Sequence, residues 1–327
     1  RVPILIVILF WMEEVDREHL VTALLKPQDI ETLNSMAQWR KSFQEIEWQY
    51  PLSADCSLMV GCKYESLSFI FASCYQSAVK ALVHAGDPEN KFIRAVCATE
   101  GSGPFHPRKI ATTIVFNEKA NKFILNGEKS FVTMGSLADQ YIVLAKVHST
   151  DETDKAEFKI VLVNKGQSGV SLTELPPLPF VSHVPHAKVK FENVRIDSSA
   201  VLEGDGYVDY IKPFRTIEDT LIAAGVVGFL IQQLKKHQSW GHPELLEKAI
   251  MLAMTFRELS EMDPSNAGTH LVLAGVFSSL HELIGAIETL WDTSEESFKH
   301  WSRDKKILSI AQTARNLRLQ KARLSKL

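Results

Sequence analysis

The spacing of hydrophobic positions changes twice along the chain, which predicts three regions. Apolar residues recur every three to four positions in residues 1–91 and 204–327, which is the spacing of amphipathic helices. Residues 92–203 instead hold short runs of β-branched and aromatic residues separated by turn residues. This order predicts an α+β fold with a helical N-terminal domain, a central antiparallel β-domain shaped as a small barrel or sandwich, and a C-terminal helical bundle.

The central region predicts six strands joined by short turns. Asn126-Gly127 and residues 117–121 have the composition of hairpin turns. Proline residues in 174–186 predict a loop instead of a regular element. The predicted strands are 112–116, 122–125, 130–133, 141–147, 158–163 and 187–191.

The helical regions contain one N-terminal helix that is apolar on nearly every side and four C-terminal helices of bundle length. The N-terminal helix, residues 66–85, is expected to be centrally packed and to stop at Gly86-Asp87-Pro88. The predicted C-terminal helices are 211–236, 242–262, 267–290 and 298–327.

Composition narrows the class of protein. The 327 residues carry 36 Lys and Arg against 39 Asp and Glu, a net charge of −3, which argues against nucleic acid as the main partner. No apolar run reaches the ~20 residues of a membrane span. Four cysteines without C-x-x-C spacing predict free thiols in a reducing compartment, and the cytoplasm is the expected location.

The apolar residues 2–11 have two interpretations. They form either a buried N-terminal segment or sequence upstream of a start at Met12, or else a secretory signal. The first interpretation is favoured because no small-residue cleavage site follows the apolar stretch.

Motifs that carry chemistry are sparse. Gly101-Ser102-Gly103 lacks the third glycine of a phosphate-binding loop. His183 and His186 flank Val184-Pro185, and the proline disfavours a helical metal pair, so no metal is predicted. The chain contains no G-x-S-x-G, H-E-x-x-H or Walker sequence.

Glu218 lies in an apolar helix start, residues 215–228. Burial there would raise the pKa of its carboxyl toward the value that a general base needs. The alternative is a structural acid in the first turn of the helix, where its negative charge interacts favourably with the helix dipole. The residues alone favour the structural role and predict no particular reaction.

Residues 96–146 contain an ordered set of short motifs that resembles the middle of the acyl-CoA dehydrogenase family. Residues 189–196 look like the closing strand of that domain, and residues 221–228 resemble the start of the first bundle helix. The motifs are Thr99-Glu100, Asn126-Gly127-Glu128-Lys129, Phe131-Val132-Thr133 and Ala138-Asp139.

The resemblance implies an oxidoreductase of fatty acid metabolism that uses FAD to dehydrogenate an acyl-CoA thioester between its α and β carbons. In that family the residues corresponding to Thr99 and Thr133 hydrogen-bond the isoalloxazine ring, and Phe131 would cover the ring edge. The resemblance also implies an acyl-CoA substrate, a flavoprotein electron acceptor, and a homodimer or homotetramer.

The catalytic base implied by the resemblance is Glu218. The family's commoner base position corresponds to Gln312, whose amide cannot accept the proton. The second position, on the first bundle helix, corresponds to Glu218. Asp219 stands where the family usually has an arginine, and two adjacent buried acids would raise each other's pKa.

The part of the sequence expected to bind the FAD diphosphate also departs from the family. His237 and Trp240 stand in place of the arginine and phenylalanine of an Arg-x-x-Phe-Gly segment, and no Gly-Gly turn is visible between Gly285 and Trp301. The chain is also shorter than the family leads us to expect. Two alternatives therefore stay open: a non-catalytic or degenerate member that binds acyl-CoA or a protein partner, and a flavin-dependent monooxygenase on the same fold.

Overall fold

The computed structural model describes residues 16–83, 91–101, 107–119, 121–148, 156–237 and 240–325. Residues 2–11 and the predicted stop at 86–88 lie outside these ranges. The chain divides into two compact units: residues 1–78 with 217–327, called the helical unit below, and residues 79–216, called the sheet unit. The predicted domain boundaries at residues 91 and 203 stay a prediction.

The described helices follow the predicted order, and the α+β fold class is confirmed. The helix predicted over 267–290 has those bounds, and the helix predicted over 211–236 begins one residue later, after a π-helical turn at Gly206–Ile211. The helices are α1 Arg17–Leu25, α2 Met36–Gln49, α3 Ser53–Lys63, α4 Leu67–Leu82, α5 Lys212–Lys236, α6 Pro243–Glu261, α7 Ala267–Leu290, α8 Glu296–Asp304 and α9 Gln312–Leu324.

The single helix predicted over 298–327 is wrong, because the chain breaks between α8 and α9. A 3₁₀ turn at Lys305–Ser309 separates the two helices and buries Ile307 and Leu308. Arg315 of α9 donates a side-chain hydrogen bond to the Leu308 carbonyl, so a side chain seven residues further along satisfies a backbone acceptor at the break. Helical periodicity does not reveal this stop, since neither proline nor glycine marks it.

Glycines allow the backbones of α3 and α5 to pack in direct contact inside the helical unit. A Cβ added at Gly61 would lie 2.1 Å from the Gly225 carbonyl oxygen, and one added at Gly228 would lie 2.1 Å from the Leu58 carbonyl oxygen. Both distances are far inside van der Waals contact. The contact therefore requires glycine at these positions.

A buried ion pair also joins α3 to α6. Arg257 Nε lies 2.8 Å from Asp55 Oδ1, and the two side chains are at most 2% exposed. Removing one member of such a pair is costly because the other charge stays buried without its counter-ion. The pair therefore ties the position of α6 to that of α3.

The sheet unit contains one seven-stranded sheet. The strand order is β1-β4-β2-β3-β7-β6, and β5 pairs with the other edge of β4. Its core is built from alternating residues of these strands, such as Leu125, Tyr141 and Phe191. The strands are β1 Arg94–Cys97, β2 Thr113–Asn117, β3 Lys122–Thr133, β4 Gln140–Val147, β5 Phe158–Asn164, β6 Val170–Glu174 and β7 His186–Ile196.

β1 and β6 lie outside the six predicted strands, and the sheet differs from the prediction in its pairing and in one turn as well. Most strand pairs are antiparallel, but β1 and β2 each pair with β4 in parallel. The turn predicted at Asn126-Gly127 is wrong, because strand β3 continues through these two residues. Its pairing with β7 shifts register between Leu125 and Gly127. A Cβ at Gly127 would lie 2.4 Å from Thr112 Oγ1, so this glycine permits a close approach of the neighbouring chain instead of a turn.

One described helix, α7, is long and apolar enough to cross a membrane, judged by length and composition alone. In the best 18-residue window of α7, 39% of residues are buried. A core helix of a soluble protein passes the same test, and α7 packs against α6 and α9. The finding is weak evidence for a membrane span.

We expect Gly228→Ala to lower the free energy of unfolding by about 3 kcal/mol, because the new methyl group overlaps the Leu58 carbonyl. Gly275→Ala in α7 is the matched control: nothing lies within 4 Å of its added Cβ. That control should raise the stability by about 0.5–1 kcal/mol through helix propensity. Urea unfolding measures both changes, and equal effects would contradict the contact.

Candidate functional site

The last residues of β3 present two of the predicted flavin contacts, Phe131 and Thr133. A register shift between Lys129 and Val132 inserts an extra residue into β3, so that Lys129 and Val132 both point into the core. Phe131 is left 42% exposed, and Thr133 is half-buried. Alternation on either side of Val132 places the Phe131 and Thr133 side chains on the same face.

Thr99 lies beside this face. The Ser130 backbone amide donates to the Thr99 carbonyl at 3.0 Å, and Ser130 Oγ donates to the Gly101 carbonyl at 2.8 Å. Gly101 has a φ of +62°, a left-handed conformation that suits glycine. The structure therefore brings Thr99, Phe131 and Thr133 to one end of the sheet. We call them the β3 face.

A buried ion pair supports this loop, and the sequence analysis did not assign it. Lys129 is fully buried, and its Nζ lies 2.6 Å from Glu100 Oε1 and 2.6 Å from the Leu144 carbonyl. Glu100 also accepts a hydrogen bond from the Ala111 amide at 2.7 Å. Burial alone would raise the pKa of Glu100, but Lys129 and these hydrogen bonds lower it below its ordinary value. Glu100 therefore anchors the chain that carries Thr99.

His186 belongs to the β3 face, and sequence reasoning missed it. It pairs with Thr133 across the strands, and its ring contacts the Phe131 ring at a tilt of 31°, with 4.4 Å between centroids. His186 is 3% exposed, and its Nδ1 has no hydrogen-bond partner among the described residues. Burial lowers the pKa of His186, which favours the neutral ring. The sequence analysis considered His186 only as a possible metal ligand together with His183, and Pro185 between them disfavours that pair.

The structure places His237 and Trp240 within an aromatic cluster of the helical unit. Their rings stack in parallel with 4.5 Å between centroids, and Trp291 lies 6.1 Å from the His237 ring. His237 Nε2 is 3.9 Å from Glu295 Oε2, and burial lowers the pKa of the imidazole. A neutral, stacked imidazole is a poor phosphate ligand compared with a guanidinium.

Glu218 and Asp219 occupy neighbouring positions on α5 but have different surroundings. Glu218 is half-buried, whereas Asp219 is buried and its Oδ2 lies 2.9 Å from Arg315 Nε. Burial raises the pKa of Asp219 to about 6 despite the opposing charges of Arg315 and Arg318. The sequence predicts that Glu218 and Asp219 raise each other's pKa if both are buried, whereas in the structure burial is the main cause of the raised pKa of Asp219.

Gln312 is the first residue of α9 and lies one helical turn before Arg315. Both residues line the same cleft in the helical unit. Gln312, where the resemblance places the family's commoner base, is a neutral amide, and the buried carboxyl paired with Arg315 comes from Asp219. This arrangement combines an amide, a guanidinium and a carboxyl from α5 and α9.

A flavin ring fits the β3 face, but the diphosphate segment fits less well. The exposed Phe131 ring and the half-buried Thr133 hydroxyl provide an aromatic surface and a hydrogen-bonding group. The stacking of His237 removes the cationic phosphate contact expected of an arginine at that position. Among the described residues, no group of three or more His, Cys, Asp or Glu is arranged to hold a metal.

The four cysteines are free and buried, and none belongs to these sites. Burial raises the pKa of Cys62, Cys74 and Cys97 to about 12, so these thiols stay protonated at neutral pH. They serve as packing residues.

Comparison with known proteins identifies the sheet unit. Residues 95–194 match the model of the acyl-CoA dehydrogenase middle domain. The chain is 22% identical over 182 residues to cyclohex-1-ene-1-carbonyl-CoA dehydrogenase of Geobacter metallireducens, an alignment that covers 50% of this chain and 47% of that protein. The matched part thus spans about half the length of this curated relative.

Solved structures share the fold at low sequence identity. An FAD-dependent dehydrogenase superposes with a TM-score of 0.69 at 16% identity, covering 97% of this chain and 99% of its own. Butyryl-CoA dehydrogenase of Megasphaera elsdenii gives a TM-score of 0.59 at 15% identity, covering 83% and 81% of the two chains.

The resemblance found in the sequence is therefore confirmed: the chain carries an acyl-CoA dehydrogenase middle domain and has the fold of the acyl-CoA dehydrogenase family. The relatives named above include an FAD-dependent dehydrogenase, and the chain has the fold of a flavoprotein.

We expect Lys129→Met to lower the free energy of unfolding by about 3–5 kcal/mol, because Glu100 then loses its counter-ion in a half-buried position. The double variant Lys129→Met with Glu100→Gln should recover part of the loss. Lys190→Met, which removes an exposed lysine paired with Glu192, should change stability little. Denaturant unfolding distinguishes these cases, and equal losses in both lysine variants would contradict a buried pair.

The raised pKa of Asp219 makes stability depend on pH. Between about pH 4 and about pH 6 the folded state binds this proton more tightly than the unfolded state, so stability falls as the pH rises through this window. The wild type should therefore lose up to about 3 kcal/mol relative to Asp219→Asn across the window.

Urea unfolding at several pH values measures this difference. The exposed Asp29→Asn is the matched control for exchanging a carboxyl for an amide at the protein surface. A wild-type-minus-Asp219→Asn difference that is constant with pH would show that the carboxyl is not perturbed.

Proposed function

We propose that the protein is an FAD-dependent dehydrogenase that acts on an acyl-CoA thioester. The observation that carries this proposal is the β3 face, in which Thr99, Phe131 and Thr133 stand together inside the matched middle domain. Cyclohex-1-ene-1-carbonyl-CoA dehydrogenase and butyryl-CoA dehydrogenase, two of its relatives, are named for acyl-CoA substrates.

On this proposal the β3 face holds the flavin ring. The hydroxyls of Thr99 and Thr133 would donate hydrogen bonds to the ring, and Phe131 would cover its edge. His186 packs behind Phe131 and fixes its orientation. When bound, the flavin supplies the acceptor for the hydride that leaves the β-carbon of the substrate.

The proton on the α-carbon needs a base, and we assign this role to Glu218. Gln312 cannot accept a proton. Asp219 is held by Arg315, and its carboxyl is buried. Glu218 is half-buried on α5, which leaves part of its side chain accessible. His237 and Trp240 are proposed to lie near the far end of the cofactor, with stacking in place of a charged phosphate contact.

We further propose a flavoprotein electron acceptor, a homodimer or homotetramer, and a cytoplasmic location with a role in fatty acid metabolism. These follow from family membership, in which oligomers and soluble electron carriers are common. The net charge of −3 is compatible with a small-molecule substrate.

The second function is a degenerate member of the family that binds acyl-CoA or a protein partner without catalysis. The parallel stack of His237 on Trp240 favours it, because this packing removes a cofactor contact. Gln312 in the commoner base position points the same way. A flavin-dependent monooxygenase, which needs no carboxylate base, has no specific observation in its favour.

The visible absorption spectrum of the protein, before and after addition of FAD, tests flavin binding. We expect bound flavin, and we expect butyryl-CoA to bleach its absorbance under anaerobic conditions. Glu218→Gln should keep the flavin and slow the bleaching by about 10²–10⁴-fold, since the general base is lost. Glu247→Gln, an exposed glutamate on α6, is the matched control and should keep the wild-type rate.

Each alternative has its own outcome. Bound acyl-CoA without bleaching would favour the degenerate member. Oxygen consumption driven by NADH and a flavin reductase would favour the monooxygenase. A wild-type bleaching rate in Glu218→Gln would refute the assigned base, and protein that never binds flavin would refute the proposed function itself.

A further inference from the structure

We propose that a cavity in the sheet unit binds a small neutral compound with several hydroxyl groups, of the size of one monosaccharide. The cavity has a volume of about 280 Å³ and is lined by the first residue of β4, the last residues of β5 and β7, and the 3₁₀ turn Ser198–Ala200. No residue of the β3 face lines it, and the proposal goes beyond the proposed flavin chemistry.

A buried acceptor in the lining lacks a donor. Gln140 is 6% exposed, and its Nε2 donates to Asn164 Oδ1 at 3.1 Å. The other amide atom, Gln140 Oε1, accepts no hydrogen bond from the residues that the structure describes. An unsatisfied buried acceptor carries a free-energy cost, so a ligand that donates a hydrogen bond to this oxygen removes that cost on binding.

The amide groups beside Gln140 are already held in place. Gln167 also lines the cavity, and its Nε2 donates to the Arg195 carbonyl at 2.5 Å. Gln167 Oε1 accepts from the Asn164 backbone amide at 3.3 Å, and Asn164 in turn holds Gln140. Side chains that are fixed before binding lose little rotamer freedom when a ligand arrives, which favours recognition of a polar compound at this position.

The charge of the lining disfavours an ionic ligand. Asp197 is the one charged residue among the described residues that line the cavity, and its carboxylate pairs with Lys122. The carboxylate repels an anion, and the ammonium of Lys122 repels a second cation beside it. A neutral ligand avoids both repulsions and can still donate a hydrogen bond to the carboxylate.

The polar groups of the lining require a ligand that both donates and accepts. Gln140 Oε1 and the Asp197 carboxylate only accept, whereas the amide NH₂ of Asn164 donates and the hydroxyl of Ser199 does either. An ammonium group only donates, and a carbonyl group only accepts. Adjacent hydroxyl groups on one small molecule serve both kinds of partner, which favours a polyhydroxyl compound.

The apolar part of the lining and the volume narrow the ligand further. Leu162, Ile196 and Ala200 supply the apolar surface, on which the C–H groups of a sugar ring can pack. Sites for larger small molecules have volumes of about 300–1,000 Å³, so this cavity lies just below that range. We therefore assign it to a single monosaccharide and not to a nucleotide.

A saturation-transfer NMR titration of the purified protein with D-ribose tests the proposal. We expect a Kd of about 1–10 mM for ribose. Cyclopentanol has a five-membered ring with a single hydroxyl and should bind at least about tenfold more weakly, because it cannot satisfy several polar groups at once. Ethylammonium chloride and sodium acetate should show no binding, because each carries a charge.

Two variants assign the binding to this cavity. Gln140→Met removes the unpaired acceptor at similar side-chain size and should weaken ribose binding at least about tenfold. Ser199→Tyr adds a ring at an exposed position of the lining and should abolish binding by filling the cavity. Ser198→Tyr is the matched control: Ser198 is also exposed on the 3₁₀ turn but does not line the cavity, so its Kd should equal that of the wild type.

Circular dichroism checks that each variant is folded, and Ser199→Tyr carries the test if Gln140→Met does not fold. Absence of ribose binding by the wild type, or a wild-type Kd in either folded cavity variant, would overturn the proposal. Cyclopentanol or ethylammonium that binds as tightly as ribose would overturn the assigned ligand class. The flavin spectrum is recorded on the same sample, so failure of the proposed dehydrogenase function and failure of this site are observed separately.

Discussion

The helical unit depends on the contact between α3 and α5, in which the backbones of two helices touch. Gly61 and Gly228 supply the space, and a single methyl group at either position would overlap a carbonyl oxygen of the other helix. Helices at this distance gain dispersion contacts along their whole interface, but they tolerate no side chain between them. The position of Asp219, further toward the start of α5, follows from this packing.

The sheet unit has a comparable constraint at the end of β3. The extra residue between Lys129 and Val132 changes which side chains face the core, and it leaves Phe131 exposed beside Thr133. The Lys129–Glu100 ion pair then fixes the loop that carries Thr99. A short strand irregularity and one buried charge pair thus produce a polar and aromatic face on an otherwise apolar sheet.

The site that the structure shows includes His186 and a buried Asp219, and the sequence analysis assigned a role in the site to neither residue. Thr99, Phe131 and Thr133 were assigned from a family resemblance, and the structure brings them together, although their contacts with a cofactor stay a prediction. His186 was missed because its role depends on pairing with Thr133 across two strands. Asp219 was treated as a complication for Glu218, because only the fold shows that Arg315, 96 positions later, lies beside it.

The sequence by itself determined the order of the helical and β-rich regions, the α+β class and the resemblance to the acyl-CoA dehydrogenase family, because hydrophobic period and ordered local motifs are properties of neighbouring residues. It also predicted the bounds of α7 without error. The tertiary structure decided the break before α9, the straight course of β3 through Gly127, the parallel pairs with β4 and the partners of the buried charges. These features depend on residues far apart in sequence, whose distances are set by packing and not by any local pattern.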